Sequence, residues 1–71
     1  MSPDVATGTM RWFNGARGYG FIVPAAGGAD LFVHRSQIHD YNPARLAAAQ
    51  SVEFQVGTGR NGRHACSVRV I

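Results

Sequence analysis

The chain has 71 residues, seven basic against four acidic, for a formal charge of +3. That length holds one small domain with one modest core and excludes a second. All seven basic residues are arginine, which favours planar, phosphate-pairing cations over point charges, and the net charge permits an anionic partner without requiring one.

Read in chain order, the sequence alternates short strands with turn residues. Residues 1–5 are expected to form a short flexible tail before a single domain at 6–71. Strand one is predicted at Thr7–Asn14 and is closed by the Asn14-Gly15 turn signal. Strand two is predicted near Gly18–Val23, followed by a loop over Pro24–Gly28, and strand three near Asp30–Arg35. Pro43–Gln50 suits a short helix with proline in its first turn, marginal at that length, and serves as a long connection. Strand four, Ser51–Val56, places Val52, Phe54 and Val56 on one face. Gly57–Gly62 reads as a flexible loop, and it lacks the Gly-Lys-Ser/Thr ending of a phosphate-binding loop. Strand five, His64–Val70, places Cys66, Val68 and Val70 on one face and Ser67 and Arg69 on the other.

Five strands in so short a chain leave too many open edges for a flat sheet, so a closed all-β barrel is predicted. Gly18 and Gly20 leave room for strand two to coil and bend. The expected core is Met10, Ile22, Leu31, Val33, Ile38, Val52, Phe54, Val56, Val68 and Val70. Turning Met10 inward and Trp12 outward demands a bulge in strand one, because plain alternation places them together.

Alternation also sorts the candidate functional residues. Tyr19 and Phe21 share a face, and so do Phe32 and His34, with Leu31 and Val33 opposite. If the aliphatic side is the core, the rings and the imidazole face water. Grouped exposed rings need a partner to cover them, and with arginines nearby an unpaired nucleic-acid strand fits. Core packing is the competing reading for Tyr19, Phe21 and Phe32, but a barrel this small cannot enclose both the aliphatic and the aromatic sets. Trp12 also fits a partly buried cap, and Phe13 is read both ways, as a binding residue or as packing at the barrel edge. For His34, no second histidine or carboxylate lies at ligand spacing and no nucleophile accompanies it, so contact with a base is favoured over metal binding or catalysis. His39 and His64 are expected to face solvent, Arg45 and Arg69 to be surface charges, and the single cysteine, Cys66, to pack as a small hydrophobe.

Three stretches then carry a resemblance: Gly8-Thr9-Met10-Arg11-Trp12-Phe13-Asn14, Arg17-Gly18-Tyr19-Gly20-Phe21-Ile22 and Asp30-Leu31-Phe32-Val33-His34. In this order they resemble a bacterial cold-shock protein, over about Ala6 to Ile71, and the second and third resemble the family's two ribonucleoprotein motifs. The resemblance implies an all-β, five-stranded antiparallel OB-fold barrel that binds single-stranded RNA or DNA. The matching positions are Arg11, Trp12, Phe13, Tyr19, Phe21, Phe32 and His34. Arg17 matches the basic residue that opens the first ribonucleoprotein motif. Arg60 and Asn61 fall in the loop before strand five, where family members often carry a nucleic-acid contact. The chain departs from the family where Arg35 follows His34, a position often aromatic, and where Pro43 replaces a common loop aromatic, with Tyr41 two residues earlier. It is also basic where bacterial members are often acidic. Arg35 and Tyr41 are the candidates to make up the missing rings, since arginine also stacks on bases.

The expected activity is that of an ATP-independent RNA chaperone of the stress response, with effects on transcription or translation. No enzymatic activity, metal, cofactor or small-molecule substrate is expected. Without an apolar run near the ~20 residues of a membrane span or a secretory start, the chain is expected to be cytoplasmic. A monomer is expected, with the connection near Pro43 a hinge for strand exchange. The alternative is a small barrel that docks a protein through the same rings, because Tyr and Trp also anchor protein interfaces.

Overall fold

The computed structural model describes residues 5–59 and 62–71. Five strands form it: β1 (Val5–Asn14), β2 (Tyr19–Pro24), β3 (Leu31–His34), β4 (Ser51–Gly59) and β5 (Gly62–Val70). They close into a barrel in the order β1-β2-β3-β5-β4. Four of the pairings are antiparallel, and closure comes through a parallel contact of β3 with β5 at Phe32 and His64. The predicted all-β barrel is therefore the observed fold, with strand limits that differ by up to three residues.

The turn between β1 and β2 is built by Asn14, whose side-chain Oδ1 accepts from the Ala16 and Arg17 amides, each at 3.0 Å. Gly18 ends the turn at φ +77°, a left-handed conformation that glycine adopts freely. The expected bulge in β1 is present. Met10 pairs with Ile22 and Trp12 with Phe21, so Arg11 is the extra residue. Met10 is 1 % exposed and Trp12 41 %.

The core differs from the expected one at four positions. Met10, Ile22, Leu31, Val33, Ile38, Val52, Phe54 and Val68 are buried as expected, but Leu46 and Ala65 join them. Val56 is 40 % exposed, because β4 runs on into the hairpin with β5 and carries Val56 out of the covered interior. Val70 is only partly buried. In place of a helix over 43–50, Pro43–Arg45 makes one 3-10 turn capped by the Asn42 side chain. That turn drops Leu46 into the core.

β5 also departs from alternation. Glu53 pairs with Arg69 and Gln55 with Cys66, so β5 spends three steps where β4 spends two. Ser67 absorbs the extra residue at φ +51°. The inward residues are consequently Ala65 and Val68. Cys66 is half-buried and its thiol donates to the Gln55 carbonyl at 3.4 Å. The glycine stretch after Val56 is ordered ladder rather than loop, since Gly57, Thr58 and Gly59 pair with His64, Arg63 and Gly62. No helix among the described residues is long and apolar enough to cross a membrane.

Candidate nucleic-acid interface

The interface grows from register. β2 pairs with β3 so that Tyr19 lies beside His34 and Phe21 beside Phe32, and β1 brings Trp12 beside Phe21. Adjacent strands lie about 4.8 Å apart, so outward rings in neighbouring positions must touch. Trp12 meets Tyr19 and Phe21 at centroid distances of 5.6 and 5.3 Å, and Phe32 meets the same two rings at 5.8 Å each. The four rings form a closed circuit of mostly edge-on or tilted contacts, as ring quadrupoles prefer. Each ring covers its neighbours' flanks. Tyr19 and Phe21 end half-buried, while Trp12 and Phe32 remain 41 % and 40 % exposed.

Beneath this circuit the aliphatic residues face inward, with Leu31 3 % and Val33 0 % exposed. Gly20, between Tyr19 and Phe21, has no side chain because none fits. A Cβ there would overlap the Trp12 carbonyl oxygen and come within 2.9 Å of Phe13 Cα. The close approach of β1 to β2 that sets Trp12 against Phe21 thus depends on that glycine.

The remaining candidates divide. Exposed His34 borders the circuit through Tyr19, and its Nδ1 accepts from the Ser36 amide at 3.1 Å. Arg17 is exposed on the β1–β2 turn. Arg35 is exposed at its head, while its stem lies across Gly18, where a Cβ would come within 2.7 Å of Arg35 Cδ. Arg11 is ion-paired with Asp30, so a carboxylate already shares its charge. Phe13 and Tyr41 do not join the circuit. They pack on each other at 5.8 Å and against the core, and the Tyr41 hydroxyl is buried without a hydrogen-bond partner among the described residues. Arg60 and Asn61 lie outside the described residues.

One residue beside the rings was assigned only to solvent by the sequence. His64 is half-buried and pairs directly with Phe32 across the barrel closure. The same juxtaposition opens a concavity of about 290 Å³ beside Phe32. Spacing gives no hint of this contact, which depends on how the barrel closes. Among the described residues, no group of three or more His, Cys, Asp or Glu is placed to hold a metal ion.

A closed five-stranded barrel of this kind has known counterparts. The family model described as 'Cold-shock' DNA-binding domain matches residues 6–71. The chain belongs to the cold-shock domain family. The cold shock-like protein CspD of Escherichia coli K12 is 50 % identical over 58 residues, covering 82 % of this chain and 78 % of its own. The cold shock-like protein CspA of Stigmatella aurantiaca is 46 % identical over 67 residues, covering 94 % and 98 %. Among solved structures, drosophila Unr CSD456 superposes with a TM-score of 0.77 at 22 % identity. This cold-shock domain covers 94 % of itself and 26 % of that chain in the superposition, a likeness of OB-fold alone.

Proposed function

We propose that this cold-shock domain binds single-stranded RNA or DNA across Trp12, Tyr19, Phe21, Phe32 and His34, and that it acts in the cytoplasm as an ATP-independent RNA chaperone. The closed circuit of four outward rings over a buried aliphatic layer carries the reading. Each base stacked on an aromatic side chain is worth about 1–3 kcal/mol by truncation, with little regard to base identity. Arg17 and Arg35 flank the rings and pair with phosphates. Arg11 contributes in so far as Asp30 releases it. Phe13 and Tyr41 support the edge of the surface from the core side.

The consequence is a shift of equilibrium toward open strands, because only unstacked bases can lie on the rings. At a free concentration one hundred times the Kd, binding favours the open form by about 2.7 kcal/mol. One duplex stacking step averages about 1.4 kcal/mol. A bound molecule therefore offsets about two steps, enough to open weak hairpins and too little for long duplexes. Such a protein affects transcription or translation wherever a weak hairpin does.

Trp12 is the chain's only tryptophan and sits within the circuit, so its fluorescence reports directly. Titration with a pyrimidine-rich oligonucleotide is expected to quench it at micromolar concentration, and a matched duplex is not. An unchanged signal with the single strand sinks the proposal. A protein captured after nuclease treatment, with salt-insensitive affinity, favours protein docking through the same rings instead.

A further inference from the structure

Apart from Trp12 and Phe32, the large hydrophobic residues left exposed among the described residues are Val5, Val56 and Ile71, at 44 %, 40 % and 58 %. None of the three belongs to the ring circuit, and all three line one groove elsewhere on the barrel. The groove has two lobes of about 390 Å³ each, and Thr7, Pro24 and Ala25 border both, so the lobes run into one another. It lies where the start of β1, the loop after β2 and the β4–β5 hairpin meet, with Ile71 in one lobe and Val56 and Arg63 in the other. Buried Leu31 and Phe54 reach the second lobe from beneath. A contiguous apolar surface of this kind marks an interaction site, and barrel mouths are recurrent places for one.

We propose that this groove docks an extended peptide segment of another protein, with aliphatic side chains along it and a carboxylate at the hairpin end. The walls decide the class of partner. They are aliphatic, and the one aromatic side chain among the described residues that borders the groove, Phe54, is 1 % exposed. A nucleic-acid strand finds no ring there on which to stack. Alternate side chains of an extended peptide point the same way, so successive ones enter the two lobes in turn. Charge decides the carboxylate. Arg63 is the single charged side chain on the groove, and no acidic residue borders either lobe. Among the described residues no ion pair engages Arg63. A guanidinium in that state matches a carboxylate with two parallel hydrogen bonds. None of the four rings borders the groove, so the peptide and a strand on the rings occupy the domain together. The groove thus tethers a protein to whatever the rings hold.

The test follows backbone amide shifts of the isotope-labelled protein by NMR. The probes are a capped hexapeptide of alternating valine and threonine that ends in aspartate, and the same peptide ending in lysine. The amides of Val5, Ala25, Val56 and Arg63 are expected to move, and the Trp12 indole N–H is expected to stay. An exposed ion pair changes affinity by about 1.4- to 5-fold. Attraction of aspartate and repulsion of lysine therefore separate the two peptides by about 2- to 25-fold in Kd, and Arg63→Glu reverses their order. Val56→Ser is expected to weaken both peptides alike and to leave Trp12 quenching by an oligonucleotide as it is in the parent. Val56 carries that control because Arg63 also borders the concavity beside Phe32. Groove amides that stay still with both peptides at millimolar concentration, or an order that survives Arg63→Glu, overturn the inference. Movement of the same amides with heptathymidylate or decanoate but with neither peptide overturns it in favour of a nucleic acid or a lipid. The inference does not rest on the single-strand reading, and failure of oligonucleotides to quench Trp12 leaves it standing.

Discussion

Phe32→Ala separates binding from folding. The Phe32 ring touches Tyr19 and Phe21 and is 40 % exposed. Two aromatic pairs at about 0.5–1.5 kcal/mol each put its folding contribution at about 1–3 kcal/mol. Losing one stacked base removes about 1–3 kcal/mol of binding, which raises Kd about 5- to 160-fold. Val33→Ala on the same strand is the control. Val33 is 0 % exposed, and removing its two methyls costs about 1–3 kcal/mol through lost burial and a small cavity. The two variants should therefore melt at similar urea concentrations. Only Phe32→Ala should lose oligonucleotide affinity when both are titrated well below their unfolding midpoints. Unchanged affinity in Phe32→Ala, or an equal loss in Val33→Ala, refutes the reasoning, because binding would then follow stability rather than the exposed ring.

Asp30→Asn frees the Arg11 guanidinium from its carboxylate. Because exposed ion pairs contribute little to folding, urea melts should barely move, while the slope of log affinity against log salt should steepen by about 0.7 for one added phosphate contact to a single strand. An unchanged slope means that Arg11 stays away from the phosphates. Gly20→Ala drives a methyl against the Trp12 carbonyl and Phe13, so it should destabilise by about 2 kcal/mol in urea unfolding and should red-shift the Trp12 emission as β1 parts from β2 and water reaches the indole. Tyr41→Phe deletes a buried hydroxyl that has no partner among the described residues. It should leave stability unchanged or raise it by about 1 kcal/mol, and a loss of more than 1 kcal/mol would show that the hydroxyl is hydrogen-bonded in solution.

What the sequence made legible was whatever alternation and turn chemistry dictate locally. Leu31 and Val33 had to oppose Phe32 and His34 whichever way the strand faced, and the lack of room inside a 71-residue barrel decided which pair went out. The Arg11 bulge was legible because two strong preferences conflicted: Met10 belonged with the aliphatic core and Trp12 with the rings, and only an extra residue reconciles them. Leu46 was obscured by its surroundings. Flanked by Arg45 and three alanines, it shows no strand period, and its burial depends on a single 3-10 turn whose direction is set by tertiary contacts. The sequence makes Tyr41 a candidate to replace a missing ring, yet it pairs with Phe13 against the core, a contact between residues far apart in sequence.

The second bulge, at Ser67, matters most for the site, and a regular-looking aliphatic alternation hides it. Cys66, Val68 and Val70 alternate as a credible inward face, and only the solvent-facing expectation for His64, which shares their parity, conflicts with it. Serine at φ +51° leaves no mark of the kind a glycine would. Strict alternation back from Val68 turns Cys66 and His64 toward the interior, where an imidazole would lose its water and find no partner. The extra residue reverses that parity. Small Ala65 takes the inward position, where it is buried, and His64 turns to the outer face beside Phe32. The same one-residue insertion that lets β5 bend to close the barrel therefore also brings a second imidazole to the ring surface. Closure and the polar edge of the candidate site are one geometric event.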